Sequence, residues 1–156
     1  MQKYSGFPPL FDNNSRILIL GSFPSVKSRE QHFYYGNKQN RFWQTLNKAF
    51  GTSAETVEEK KQLCLQHGIA LWDIVTFCEI HGSMDTDIKN YQLADLSQVL
   101  SRAPIQKILC NGTKAHQLTL SAYFGEVPVV KLPSTSPANV RFDQQAWLTA
   151  LVELTN

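Results

Sequence analysis

Short runs of consecutive apolar residues alternate along this chain with longer segments in which apolar residues recur every three or four positions. The first run covers residues 17–20, and similar runs lie within 68–77, 105–112 and 127–133. Apolar runs that do not alternate with polar residues are typical of strands buried on both faces of a parallel sheet. The pattern therefore predicts four such strands.

The segments between these runs have helical spacing. In the first of them, Phe42, Trp43 and Leu46 fall on one helix face, and Gly51 is the predicted C-terminal stop. Ser53 is the predicted N-cap of the next helix. The predicted helices are 41–50, 54–67, 92–102, 113–123 and 142–154.

Strands that alternate with helices favour a single α/β domain over residues 1–156. Its predicted architecture is a three-layer α/β/α arrangement around a four-stranded parallel sheet. Residues 1–15 are predicted to be an irregular lead-in, and residues 79–91 a polar surface loop. In parallel sheets, ligands bind where the loops leave the carboxyl ends of the strands. The loops after the first and fourth strands are therefore the candidate sites.

Composition adds few constraints. The formal net charge of +2 neither requires nor excludes a nucleic-acid partner, so such a site would be a local patch. Cys64, Cys78 and Cys110 are far apart and odd in number, which argues against disulfides or structural zinc and favours buried thiols. The first residues lack the apolar core of a signal peptide, and no run approaches the ~20 apolar residues of a membrane span. We therefore expect a soluble cytoplasmic protein with no membrane partner.

The loop after the first strand combines aromatic and amide side chains. It has neither the glycines of a dinucleotide-binding loop nor a Walker lysine. Its aromatic residues are Phe23, Tyr34 and Tyr35, and its amides include Asn40. With the nearby Lys and Arg residues, they could stack a base, read its edge and hold its phosphate. Asn40 would equally suit the cap of the helix that begins at residue 41.

The loop after the fourth strand, LPSTSPAN, offers short hydroxyls and backbone N–H groups stiffened by two prolines. Such groups suit phosphate contacts, although a turn without a ligand has the same composition. Lys114 opens a helix and could add a phosphate contact, or could simply be solvated there. The candidate nucleic-acid backbone contacts are Ser22, Ser25, Lys114, Ser134, Thr135, Ser136 and Asn139.

Five motifs occur in order along the chain: GSFPS, YYGNKQNRFW, GIALWDIV, ILCNG and LPSTSPAN. Together they resemble the uracil-DNA glycosylase superfamily, and most closely its hypoxanthine-DNA glycosylase branch. The resemblance covers about residues 16–139. It implies a doubly covered parallel sheet and an enzyme that flips a deaminated base into a pocket. There the N-glycosidic bond would be hydrolysed without a metal or other cofactor.

The resemblance assigns catalytic roles unevenly. Most of the superfamily has Asp or Asn at the third position of the first motif to activate or position water, whereas this chain has Phe23. Phe23 can stack on a base but cannot hold water. In the hypoxanthine branch the catalytic Asn matches Asn40. Because an amide is a weak base, a dissociative route is implied, in which Asn40 orients the water and Tyr34 and Tyr35 wall the pocket.

Asp73 falls where many superfamily members have an Asn that reads the base edge. An ionised carboxylate would accept the N1 proton of hypoxanthine, which adenine lacks, so Asp73 is a candidate for base discrimination. A strand-end cap or an ion pair is the alternative role. A residue of the last loop often fills the gap left by the flipped base in this superfamily, and the candidates here are Asn139, Val140 and Arg141.

We therefore expect a monomeric, intracellular DNA-repair enzyme that removes hypoxanthine from deoxyinosine in single- or double-stranded DNA. Two alternatives remain. One is a glycosylase specific for uracil or mismatches, and the other is a non-catalytic nucleic-acid-binding or nucleotide-binding module that has the pocket without the chemistry. His81 and Asp85 lie in a polar turn segment and stay outside the predicted catalytic set.

Overall fold

A four-stranded parallel sheet lies at the centre of the molecule. The computed structural model describes residues 2–80 and 88–152. The strands of the sheet are β2 (Ile17–Gly21), β3 (Ile69–Asp73), β6 (Lys107–Asn111) and β7 (Val129–Leu132), in the order β3-β2-β6-β7. The other elements are β1 (Gln2–Ser5), α1 (Val26–Gln31), α2 (Phe42–Phe50), α3 (Val57–Gln66), β4 (Val75–Ile80), β5 (Ile88–Leu93), α4 (Ser97–Leu100), α5 (Thr113–Ala122) and α6 (Gln144–Val152).

Two apolar cores cover the two faces of this sheet. Because side chains alternate along a strand, Ile17 and Ile19 of β2 pack towards α2, α3 and α6, whereas Leu18 and Leu20 pack towards α4 and α5. All four side chains are buried. The predicted three-layer architecture and the four parallel strands are therefore confirmed.

A second, antiparallel sheet was not predicted. Its strand order is β1-β4-β5, so the predicted lead-in contains a strand and part of the predicted loop 79–91 belongs to a β4–β5 pair. The run 68–77 is also two strands. The chain leaves the parallel sheet at Ile74, whose N–H donates to the carbonyl of Gly21, and the next N–H, of Val75, donates to Ser22. His81, Asp85 and the rest of 81–87 lie outside the described residues.

Two helices differ most from their predicted bounds. The N-cap of α3 is Thr56, not Ser53, because Thr56 and Glu59 form a reciprocal capping box. Ser53 has no Glu or Gln three residues later with which to form one. The backbone N–H groups of Thr56 and Glu55 donate to the carboxylate of Glu59 and lower the pKa of that group. The predicted helix 92–102 is reduced to the short α4. At the end of α2, Gly51 adopts the left-handed conformation (φ 65°) that a helix stop requires, as predicted.

Candidate active site

A cavity of about 510 Å³ opens at the carboxyl ends of the parallel strands. It lies between the loop after β2 and the loop after β7, the two places that the topology indicates for a ligand. Eleven of the predicted site residues line it: Ser22, Phe23, Ser25, Tyr34, Tyr35, Asn40, Asp73, Ser134, Thr135, Ser136 and Asn139. Lys114, in the first turn of α5, is not among the described residues that line this cavity.

Gly21, Asp73 and Tyr35 meet at one point of the cavity wall. Gly21 and Asp73 are paired in register at the ends of β2 and β3. A Cβ atom added to Gly21 would lie 2.5 Å from Oδ1 of Asp73 and 3.0 Å from the hydroxyl oxygen of Tyr35. Only glycine therefore leaves room for both oxygens. Asp73 is 5% exposed, so its carboxyl group sits in a largely desolvated setting.

The two tyrosines have different surroundings. Tyr34 donates its hydroxyl proton to the carbonyl of Pro8 (2.9 Å). Burial, with smaller contributions from Asp73 and Tyr35, raises the pKa of Tyr34 far above its ordinary value, so its hydroxyl stays a donor. Tyr35 has a left-handed backbone (φ 52°) and stacks on Phe42 with ring centres 3.9 Å apart. Sparsely populated backbone conformations of this kind cluster at active sites and ligand-binding sites.

Asn40 lies at the start of α2 and also lines the cavity. Its Oδ1 accepts the N–H of Phe42 at 2.9 Å, which fixes the direction of the amide. Arg41 occupies the N-cap position of α2 and makes no side-chain cap there. Asn40 therefore caps the helix from the position one residue before the N-cap. A carbonyl oxygen has two lone pairs, and one of those on Oδ1 stays available for a water molecule.

Internal hydrogen bonds hold the loop after β7 rigidly. Asn139 donates its amide to the carbonyl of Ser134 (3.0 Å) and accepts the N–H of Arg141 (3.1 Å). The hydroxyl oxygens of Ser134 and Ser136 accept backbone N–H groups two residues further on. Each of these serines keeps its hydroxyl proton to donate, so both could still contact a phosphate oxygen.

Asn111 is a cavity residue that the sequence reasoning did not single out. It ends β6, and its side chain makes two hydrogen bonds of 2.9 Å with Thr135, one to the backbone N–H and one to the hydroxyl. Its place in the ILCNG motif, at the end of a buried strand, was the available signal. The pair joins the carboxyl end of β6 to the loop after β7.

Arg41 links the two loops around the cavity. Its guanidinium donates to the carbonyls of Thr135 (3.4 Å), Ser136 and Asn139 (2.7 Å), and it stacks over the ring of Phe142 at 4.5 Å. Its backbone N–H also donates to Thr135. Arg41 therefore acts as a structural anchor for the second loop.

The first aromatic residues of α2 belong to the core, as their spacing indicated. Phe42 and Trp43 are buried among residues of α3, α6 and the parallel sheet. The indole N–H of Trp43 donates to the carbonyl of Tyr34 (2.9 Å), which ties the wall of the cavity to the core. Cys64, Cys78 and Cys110 are buried free thiols, as predicted.

Within the described ranges, no group of three or more His, Cys, Asp or Glu side chains could hold a metal ion. In the same part of the chain, no helix combines the length and the apolar character that a membrane span requires.

Comparisons with known proteins agree on one family. The family model for the uracil DNA glycosylase superfamily matches residues 8–154. A protein of Methanosarcina acetivorans named hypoxanthine DNA glycosylase is 38% identical over 144 residues, which covers 89% of this chain and 90% of the relative. The protein of the same name from Methanosarcina barkeri is 35% identical over the same shares. A solution NMR structure from Methanosarcina acetivorans, described as a candidate uracil DNA glycosylase, has a TM-score of 0.84 and 32% identity, covering 99% of this chain and 100% of its own.

The anchoring role of Arg41 can be tested by substitution. We expect Arg41→Met to lower the free energy of unfolding by about 2–3 kcal/mol, because three carbonyls lose a charged donor. Amide exchange of Ser136 and Asn139 should accelerate. Lys48→Met, which removes an exposed α2 cation bonded to Gln144, should cost less than about 0.5 kcal/mol. If both variants lost the same free energy of unfolding in urea and the amide exchange of Ser136 and Asn139 stayed unchanged, this role would be contradicted.

Proposed function

The chain belongs to the uracil DNA glycosylase superfamily, and we propose that it is a DNA-repair glycosylase that removes hypoxanthine from deoxyinosine. The observation that carries the proposal is the cavity at the carboxyl edge of the sheet, which combines aromatic side chains, an oriented amide and a buried carboxylate. The N-glycosidic bond is inaccessible within a duplex, so the target nucleotide has to leave the stack and enter such a cavity.

The proposed roles divide by chemistry. Phe23 stacks on the base, and the serines of the loop after β7 contact the DNA backbone. Asn40, held by the N–H of Phe42, accepts a hydrogen bond from the attacking water through the second lone pair of its Oδ1. An amide does not remove the proton fully, so the glycosidic bond breaks ahead of water attack and the sugar develops oxocarbenium character. We propose that the enzyme acts as an intracellular monomer on DNA.

Asp73 supports hypoxanthine as the preferred base. A buried carboxylate can accept a hydrogen bond from the N1–H group of hypoxanthine, whereas adenine presents a lone pair at N1 and would be repelled. Guanine shares the N1 proton, but it is paired by three hydrogen bonds in duplex DNA and is costlier to extrude than a mispaired base. Uracil also presents an N–H flanked by carbonyls, so weaker uracil excision is compatible with the same wall.

The role of Asn40 predicts a selective loss of chemistry. We expect Asn40→Ala and Asn40→Ser to lower the single-turnover rate of hypoxanthine release about 100-fold while DNA binding is retained, because alanine has no acceptor and the shorter serine hydroxyl does not reach the position of the attacking water. Serine still caps the helix, so the two variants separate catalysis from folding. Gln39→Ala, at the exposed neighbouring position, is the control. Activity near that of the wild type in both Asn40 variants would overturn the role.

The role of Asp73 predicts a change of rate for the deaminated base. We expect Asp73→Asn to lower the release of hypoxanthine about tenfold, because a neutral amide oxygen accepts the N1 proton more weakly than a carboxylate. Asp143→Asn removes a carboxylate from the start of α6 and should leave the rate unchanged. An unaltered rate with Asp73→Asn, in protein of native melting temperature, would refute base reading by Asp73.

Val140 is our candidate for filling the gap left by the flipped base. It is 91% exposed beside Asn139, whose own side chain is committed to the loop. We expect Val140→Gly to slow excision from duplex DNA about tenfold, because the favourable free energy of burying the valine side chain in the gap is lost. Excision from single-stranded substrate, which has no such gap, should be unaffected. Equal effects on both substrates in a single-turnover assay would exclude this role.

A further inference from the structure

Arg29 carries a positive charge for which the described residues supply no carboxylate. Its guanidinium lies 4.1 Å from the ring centre of Tyr4 and 5.8 Å from that of Phe23. The Nη1 atom is buried and makes no hydrogen bond, and the ion pair found among the described residues is Lys27–Glu30, elsewhere on α1. The residue as a whole is half-buried, but a guanidinium nitrogen withdrawn from water without a hydrogen-bond partner is costly, so its presence calls for a physical reason.

The position of Arg29 supplies that reason. Phe23 lines the cavity, whereas Arg29 is not among the described residues that line it, so the charge stands behind the aromatic wall. The surroundings are poorly solvated. Burial raises the pKa of the Cys78 thiol to about 11, even though the charge of Arg29 acts in the opposite direction. In such a setting the field of a cation is weakly screened by solvent.

Excision creates a negative charge near this wall. When the bond between N9 of the base and C1′ of the sugar breaks, the electron pair stays on the base. The sugar cation then takes the oxygen of water, and the water proton is released to solvent. The carboxylate of Asp73 would repel the negative charge on the base, and the side chain of Phe23 has no hydrogen-bond donor. Arg41 is a second cation nearby, but its guanidinium is held by three loop carbonyls.

We propose that Arg29 stabilises, across the ring of Phe23, the negative charge that develops on the departing base. The inference rests on the proposed glycosylase function and adds a positioning residue that acts through space, without touching the substrate. The charge of Arg29 thereby offsets that of Asp73, which holds the N1 edge of the same base.

The kinetic test compares two leaving groups. We expect Arg29→Met to slow single-turnover release of hypoxanthine about tenfold. This is the effect of losing the attraction between the charge of Arg29 and the charge on the departing base, if the two lie roughly 10 Å apart at an effective dielectric constant of about 20. Release of xanthine, a more acidic and better leaving group, should slow less when it is measured at a pH at which the base of the nucleotide is still neutral. Arg29→Lys should restore most of the rate, and Lys27→Met should match the wild type. Equal slowing of both bases, or no rescue by lysine, would mean that Arg29 only supports the fold.

A binding test does not depend on catalysis. The probes are free xanthine and free hypoxanthine, at a pH at which xanthine is an anion and hypoxanthine is neutral. We expect Arg29→Met to weaken binding of xanthine about tenfold and to change that of hypoxanthine much less. If Arg29→Met weakens the binding of xanthine in this way but the wild-type protein releases no base from DNA, the inference stands and the glycosylase proposal fails. If it releases hypoxanthine but both bases respond equally to Arg29→Met, only the inference fails.

Discussion

The parallel register of the central sheet is the constraint on which the site depends. Because β2 pairs in parallel with β3 and β6, Gly21 and Asp73 end side by side, and Asn111 ends the next strand at the same edge. The absence of a side chain on Gly21 lets the Asp73 carboxylate and the Tyr35 hydroxyl approach one point. A shift of one residue in this register would turn Asp73 into the opposite core and dismantle the wall.

The two loops above this edge keep their shape through hydrogen bonds of their own. Arg41 holds three carbonyls of the second loop, and Asn111 pairs twice with Thr135. All of these contacts are made within the protein, so little conformational entropy remains to be lost when a nucleotide enters. The same preorganisation fixes the amide of Asn40, because the N–H of Phe42 occupies one of its two acceptor positions.

Much of this arrangement follows from the sequence, for a physical reason. A run such as 17–20 identifies a doubly buried strand, and parallel strands bring their carboxyl ends together, so residues as distant as Phe23 and Ser136 were expected at one site. The sequence held no local signal for the break after Asp73, because Ile74 and Val75 continue the apolar run while joining another sheet. The anchoring by Arg41 was equally hidden, since a guanidinium bound to carbonyls 94 to 98 residues away leaves no pattern near Arg41.

The central claim is that this cavity accepts a hypoxanthine nucleotide and breaks its glycosidic bond. The most direct measurement is mass-spectrometric detection of free base after the wild-type protein is incubated with a duplex that contains a single deoxyinosine. We expect one free hypoxanthine for each abasic strand, with the strand intact until alkali is added. Tight binding of the duplex with no release of base would contradict it and would leave a non-catalytic binding module.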